Sequence, residues 1–438
     1  MPQLTAPSIP VFKHQLLSLI CLAGLPIAAC AQEPTASETT SATQTATPTP
    51  SAAASTPPDQ ALVPLEMEIL APPGTSIPRF MVDAAWPEMP SDTIIGQVPG
   101  LAVDSDDNVW IAQRPHTLGG TDTGLAMDPP IARNCCRPGP TIMSFAQDGT
   151  YLGGWGGPGT GPEVDGVDQW PRNIHGLFVD SDETIWIGGN GDGDHVVLNF
   201  TKDGEYIGMV GRHGETDGNA SETRLGNPAD IWRGSGEVVI ADGYINKRII
   251  RFEDGTLDFS GYEGAYAEDP SGGTREGSFD QSQATATTDG GANPLARSFG
   301  DIVHCVVGTN DDLIFICDRR NNRAQVFQRT ETGDLEHLRD IVIAPETGGT
   351  RTVSDIDFSP DGKFIYIADM MNSSIWILDR ETYEPLASIG RVGRYPGEFT
   401  WLHSVVADSD GNLYTSEVNT GRRVQKLVYM GEEVYQGE

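Results

Sequence analysis

The sequence predicts an all-β chain folded as a six-bladed β-propeller, and three observations carry that expectation. A two-strand core recurs six times: an apolar strand, an acidic or Gly-rich turn, and a second strand carrying an apolar or aromatic anchor. Each core is followed by a second hairpin of alternating apolar residues bounded by Asp-Gly-type turns, the pattern of antiparallel strands. No segment holds a convincing helical period. Four strands per repeat and six repeats close into a ring.

The cores follow one another in order. The first, at 100–112, reads Gly-Leu-Ala-Val-Asp-Ser-Asp-Asp-Asn-Val-Trp-Ile-Ala, and the others lie at 176–188, 230–241, 305–317, 355–368 and 404–416. Second hairpins are clearest at 196–208 and 374–386. Trp110 to Trp186 and Val239 to Phe315 each span 76 residues, against 48 to 53 for the other intervals, so the excess marks two inserts. These lie at about 115–140 and 262–299 and are rich in Gly, Pro, Asp, Thr and Ser, which makes them surface loops rather than domains. Loops on one face of such a ring often line its site.

The propeller is expected over 63–438. Before it, residues 16–29 form an apolar run too short to span a bilayer and ending in small residues, so 1–29 reads as a signal peptide. Ile27-Ala28-Ala29-Cys30 resembles a lipobox, in which Cys30 becomes the lipidated N-terminus. Plain secretion is the alternative. Residues 30–62 are dominated by Ser, Thr, Ala and Pro and cannot bury apolar surface, which predicts a disordered tether. Anchor and tether together place the domain on a bacterial membrane, at the periplasmic side or cell surface, without embedding it.

The full chain carries 28 basic and 62 acidic residues. Removing 1–29 takes away one Lys and no acid, so the mature charge is 27 minus 62, or −35. Like-charge repulsion argues against nucleic acid and anionic lipid headgroups as partners. Oligomeric state is not encoded in any feature of the chain. Cys21 leaves with the signal. Cys305 and Cys317 lie on successive strands of one core, where a cross-strand disulfide is expected in an exported protein. Cys135 and Cys136 are adjacent in a Pro-rich loop, as a vicinal ring, a soft-metal site, a loop disulfide or free thiols.

Three histidines occupy one register of the repeat, in alternate copies. His175, His304 and His403 each precede the anchor of their core (Trp186, Phe315, Tyr414) by the same eleven residues. Pro99, Ala229 and Ser354 hold that register in the copies between. In a six-bladed ring the histidines stand about 120° apart and face the axis. Three imidazoles with an open fourth position make a catalytic rather than a structural zinc site. A polar filler at a strand end is the ordinary reading of any one histidine; the matched register argues for metal binding. A second register follows the anchor strand: Arg114 comes four residues after Trp110, Arg319 four after Phe315, and Tyr244 lies in the equivalent turn of the third copy. Guanidiniums grip carboxylates bidentately, and a phenol beside a guanidinium and a metal can act as a general base. Ordinary surface roles stand beside that reading.

Asp-Gly-Tyr-Ile-Asn-Lys-Arg-Ile-Ile-Arg-Phe at 242–252 is similar to a segment of the peptidyl-α-hydroxyglycine α-amidating lyases. Val-His-Cys-Val at 303–306 with Cys-Asp-Arg-Arg-Asn-Asn-Arg at 317–323, and Gly-Gln-Val-Pro-Gly-Leu-Ala-Val at 96–103, resemble further parts of that family, over about 80–430. The resemblance implies a six-bladed propeller of NHL-type repeats whose catalytic Zn²⁺ is held by three histidines. It implies cleavage of a carbinolamide N–C bond to an amide and glyoxylate, on a small-molecule or peptide substrate bearing a carboxylate. Carried over by position, His175, His304 and His403 hold the zinc, Tyr244 takes the hydroxyl proton, and Arg114 and Arg319 serve the carboxylate and hydroxyl end. It also implies a structural Ca²⁺; Ser404 stands where the family has an acidic ligand, which leaves the carbonyls of Leu101 and Leu177. Trp401 replaces a Met, Ile245 a Cys, and no copper monooxygenase domain accompanies the propeller. Two alternatives stand beside the lyase: a metal-dependent lactonase or other hydrolase, and a non-catalytic propeller binding protein or glycan at the cell surface.

Overall fold

The computed structural model describes residues 62–268, 294–300, 302–347 and 351–437. The signal segment, Cys30 and the tether up to residue 61 lie outside the described residues, as does most of the 262–299 insert.

Among the described residues, six antiparallel sheets of four or five strands follow in chain order, each with its first strand innermost. Blade 1 starts with Gln97–Val103 and ends with Tyr151–Trp155. Blade 2 runs from Ile174–Val179 to Tyr206–Gly211, and blade 3 from Asp230–Gly234 to Phe259–Glu263. Blade 4 runs from Val303–Gly308 to Leu335–Val342 and blade 5 from Asp355–Phe358 to Pro385–Ile389. Blade 6 begins with Leu402–Ala407, and its fourth strand comes from the other end of the chain: Ser76–Asp83 pairs with Val424–Val434. That pairing closes the ring. It buries Ile77, Phe80 and Val82 against Tyr366, Ile375 and Leu427, each such side chain contributing about 1.5–3 kcal/mol. Leu62–Pro64 and Met67–Ile69 add fifth strands to blades 6 and 5.

The turn chemistry of the repeat explains its spacing. In blades 1, 2 and 6 an aspartate follows the inner strand: Asp104, Asp180 and Asp408. Its Oδ1 accepts backbone N–H groups two and four residues on, as in Asp180 with Asp182 (3.0 Å) and Thr184 (2.8 Å). Its Oδ2 accepts from the anchor six residues on: Trp110 Nε1 at 2.9 Å, Trp186 Nε1 at 2.8 Å and Tyr414 Oη at 2.9 Å. One carboxylate therefore closes the turn and satisfies the buried polar tip of the aromatic. Each anchor then packs across to a neighbour; Trp186, for example, joins Ile231, Ile240 and Ile250 of blade 3. A disulfide joins Cys305 to Cys317 across two strands of blade 4, and another joins Cys135 to Cys136 in the 115–140 insert.

Candidate metal centre

The first residues of the inner strands ring one end of an axial cavity of about 280 Å³. His175, His304 and His403 are all buried there, with ring centroids 4.7–4.9 Å apart. One ring nitrogen from each lies within 4.8 Å of the others, and among the described residues they form the one group of three or more metal-ligating side chains.

The intervening register positions orient the rings. His175 Nδ1 lies 2.7 Å from the carbonyl of Ala229, and His304 Nδ1 lies 2.5 Å from that of Ser354. His403 reaches the carbonyl of Pro99, with Ser404 Oγ 3.2 Å from its Nδ1 and 3.1 Å from Pro99 O. His175 and His304 thus donate Nδ1–H to the residue at their own register in the next blade, and Ser404 Oγ links His403 Nδ1 to Pro99 O in the same way. The tautomer leaves Nε2 as the free lone pair, the usual arrangement behind a metal-bound imidazole. The residue types of Pro99, Ala229 and Ser354 carry no sign of this role, because the acceptor is backbone.

His304 Nε2 is buried without a hydrogen-bond partner. Burial pushes all three histidines well below their ordinary pKa. Arg114 and Arg319 press His175 further down, and Arg319 with the neighbouring imidazoles does the same to His304. The rings are therefore neutral, the ligating form. Three neutral imidazoles and an unpartnered nitrogen fit Zn²⁺ or a metal of similar softness.

Tyr244 approaches from the loop side, its hydroxyl donating to His175 Nε2 at 2.8 Å. Its loop is built around Asp242, which accepts Gly226 N–H (2.6 Å), Asn246 Nδ2 (2.7 Å) and the buried Arg248 Nε (2.9 Å). A Cβ at Gly243 would run into the Val303 backbone, so only glycine lets this turn lie against blade 4. Arg319 leaves an equivalent anchor, Asp318, which accepts Gly300 N–H (2.9 Å) and Arg323 Nε (2.8 Å). Its guanidinium lies 5.7 Å from the Tyr244 ring centroid. Arg114 follows Gln113, which accepts Gly96 N–H at 2.9 Å. The structural Asp–Arg pairs at these rims are thus Asp242–Arg248 and Asp318–Arg323.

Arg114 is buried and held by neutral oxygens: Ile174 O at 2.8 Å, Gln97 Oε1 at 3.1 Å and Asn190 Oδ1 at 3.1 Å. Burial lowers its pKa to about 10, against support from Tyr244 and Asp194. Gln97 and Asn190 are positioning residues, and Asn190 stands four residues after Trp186, the register that Arg114 and Arg319 hold in their own blades. Leu101 and Leu177 line the axial cavity, as do the carboxylates of Asp230, Asp355 and Asp357.

Comparison with known proteins shows a family model described as a seven-bladed β-propeller lactonase matching residues 256–412. The peptidylglycine α-amidating monooxygenase of Rattus norvegicus is 23% identical over 353 residues, 74% of this chain and 30% of that protein. The chain therefore spans under a third of the relative's length. Solved structures that match include a streptogramin B lyase (13% identical, covering 84% of this chain and 99% of that one, TM-score 0.43). A gluconolactonase from Xanthomonas campestris is 12% identical, with 85% and 98% covered and a TM-score of 0.46.

Proposed function

We propose that the chain is a metal-dependent carbon–nitrogen lyase that cleaves an α-hydroxyglycine-like carbinolamide to an amide and glyoxylate. The observation that carries this reading is the convergence of three neutral, carbonyl-oriented imidazoles with a tyrosine hydroxyl 2.8 Å from one of them. The distant likeness to an amidating enzyme and the residues shared with the amidating lyases support it.

His175, His304 and His403 would hold the metal, Zn²⁺ by the donor set. When bound, it supplies Lewis-acid polarisation of the substrate oxygens. Arg114 and Arg319 bind the substrate carboxylate, and the neutral cage around Arg114 keeps its charge available for that anion. Tyr244, as phenolate, takes the carbinol hydroxyl proton; the O–H electron pair forms the aldehyde C=O as the C–N bond breaks. Return of that proton to the departing nitrogen completes the amide and restores the phenolate. Ca²⁺ remains a candidate for the channel below, through the carbonyls of Leu101 and Leu177. Cys30 would carry the lipid that anchors the domain on the outer side of a bacterial membrane.

The lactonase family match over 256–412 favours a second reading, metal-dependent lactone hydrolysis. Purified zinc-loaded protein offered α-hydroxyhippurate and gluconolactone in parallel separates the two. The lyase reading expects glyoxylate and benzamide from the first and no turnover of the second; the reverse pattern replaces it with the hydrolase.

A further inference from the structure

Arg351 and Trp401 form a pair that the mechanism above does not use. The Arg351 guanidinium lies over the Trp401 indole, 5.8 Å from the ring centroid. Trp401 stands two residues before His403, and Arg351 three before Ser354, so both sit where the inner strands of blades 5 and 6 begin. The Arg351 backbone N–H donates to Arg319 O at 3.0 Å, and the Val418 N–H donates to Trp401 O at 3.1 Å. Contacts therefore run from Tyr244 to Arg319, from Arg319 to Arg351 and from Arg351 to Trp401. Both members of the pair have left-handed backbone, with φ of 85° at Arg351 and 59° at Trp401. That conformation is unfavourable for large side chains and is retained where the surroundings impose it, often at ligand sites.

Charge is a second feature of Arg351. Several arginines near these loops are neutralised, Arg422 by Asp122, Arg423 by Glu417 and Arg391 by Glu398, whereas Arg114 is held by neutral oxygens. Arg351 has no carboxylate partner among the described residues, although the chain carries a net charge of −34. A guanidinium left without an acid in so acidic a protein, and lying over an indole, is suited to an anion brought from outside.

We propose that Arg351, backed by Trp401, is a specificity-determining residue that binds a second carboxylate on the amide side of the substrate. The inference rests on the lyase reading for its substrate frame. Arg114 and Arg319 hold the carboxylate that leaves as glyoxylate, and Arg351 selects carbinolamides whose acyl or peptide part ends in an acidic group.

The test uses two unreactive analogues of equal length, N-succinylglycine and N-butyrylglycine, which differ by a terminal carboxylate against a methyl. Calorimetric titration of the zinc-loaded protein should show the succinyl compound binding about 5- to 10-fold more tightly. Arg351→Gln should abolish that preference and leave butyryl binding within about twofold, while Arg351→Lys should retain part of it. Equal affinities in the unmodified protein, equal weakening of both ligands in Arg351→Gln, or no binding of either overturns the proposal. Because neither analogue is turned over, the outcome is independent of lyase activity. Protein that shows the preference but releases no glyoxylate from α-hydroxyhippurate keeps the anion site and loses the lyase reading.

Discussion

At the scale of single residues, Tyr244 and His304 separate chemistry from metal binding. Tyr244→Phe keeps the ring and removes the hydroxyl, so turnover should fall by roughly 10²–10⁴-fold with metal content unchanged. His304→Ala should lose both together, because two imidazoles hold zinc far less well than three. Metal analysis beside the glyoxylate assay distinguishes them, and full activity in Tyr244→Phe would remove the general base from the account. These side chains were legible in the sequence because each stands at a repeated register. Their orientation was not. The carbonyls of Pro99, Ala229 and Ser354 do that work, and a backbone acceptor leaves no mark in residue type. Gln97 and Asn190, which grip Arg114, were not singled out, although Asn190 stands four residues after Trp186, at the register of Arg114 and Arg319.

At the scale of elements, the loop that presents Tyr244 depends on Gly243 lying against Val303. Gly243→Ala should displace the hydroxyl from His175 and cut turnover by about 10²-fold, since small misplacements at a reacting centre cost that much. Tm should fall as well, because the added methyl meets backbone rather than a flexible side chain, and an unchanged rate would show that Tyr244 does not need this loop geometry. The six cores were readable because the Asp turn and its anchor recur at fixed spacing. The closing strand, Ser76–Asp83, was hidden: it has no turn-and-anchor core of its own, and Pro78 interrupts its short apolar pattern. Only the ring's need for a fourth strand in blade 6 reveals it.

At the scale of the whole molecule, the axial channel ties stability to pH. Burial raises Asp230 to about 7 and Asp357 to about 6, against backbone N–H donors from Val306 and Ala407 that favour the charged forms. Burial, then the like charge of Asp230, pushes Asp355 well above the carboxylate range. The unfolded chain releases these protons near pH 4 and the folded chain retains them. Their contribution to stability is therefore full below about pH 4 and is lost as pH rises through about 6 and 7. Asp230→Asn should raise Tm at pH 8, with a gain that shrinks towards pH 5; a gain independent of pH would contradict the assignment. The proposed anchor is tested on the same scale. Cys30→Ser should move the protein from the membrane fraction to the soluble exported fraction, and a variant that still sediments with membranes rules out lipid at Cys30 as the tether.

The central claim joins the three histidines to carbinolamide cleavage, and one titration tests it most directly. Zinc is added stepwise to chelator-stripped protein while glyoxylate release from α-hydroxyhippurate is measured. The account predicts a rate near zero without metal, rising in proportion to bound zinc and reaching its plateau at one ion per chain, with benzamide formed in equal amount. Undiminished glyoxylate release by the stripped protein, or none once one zinc is bound, would contradict it.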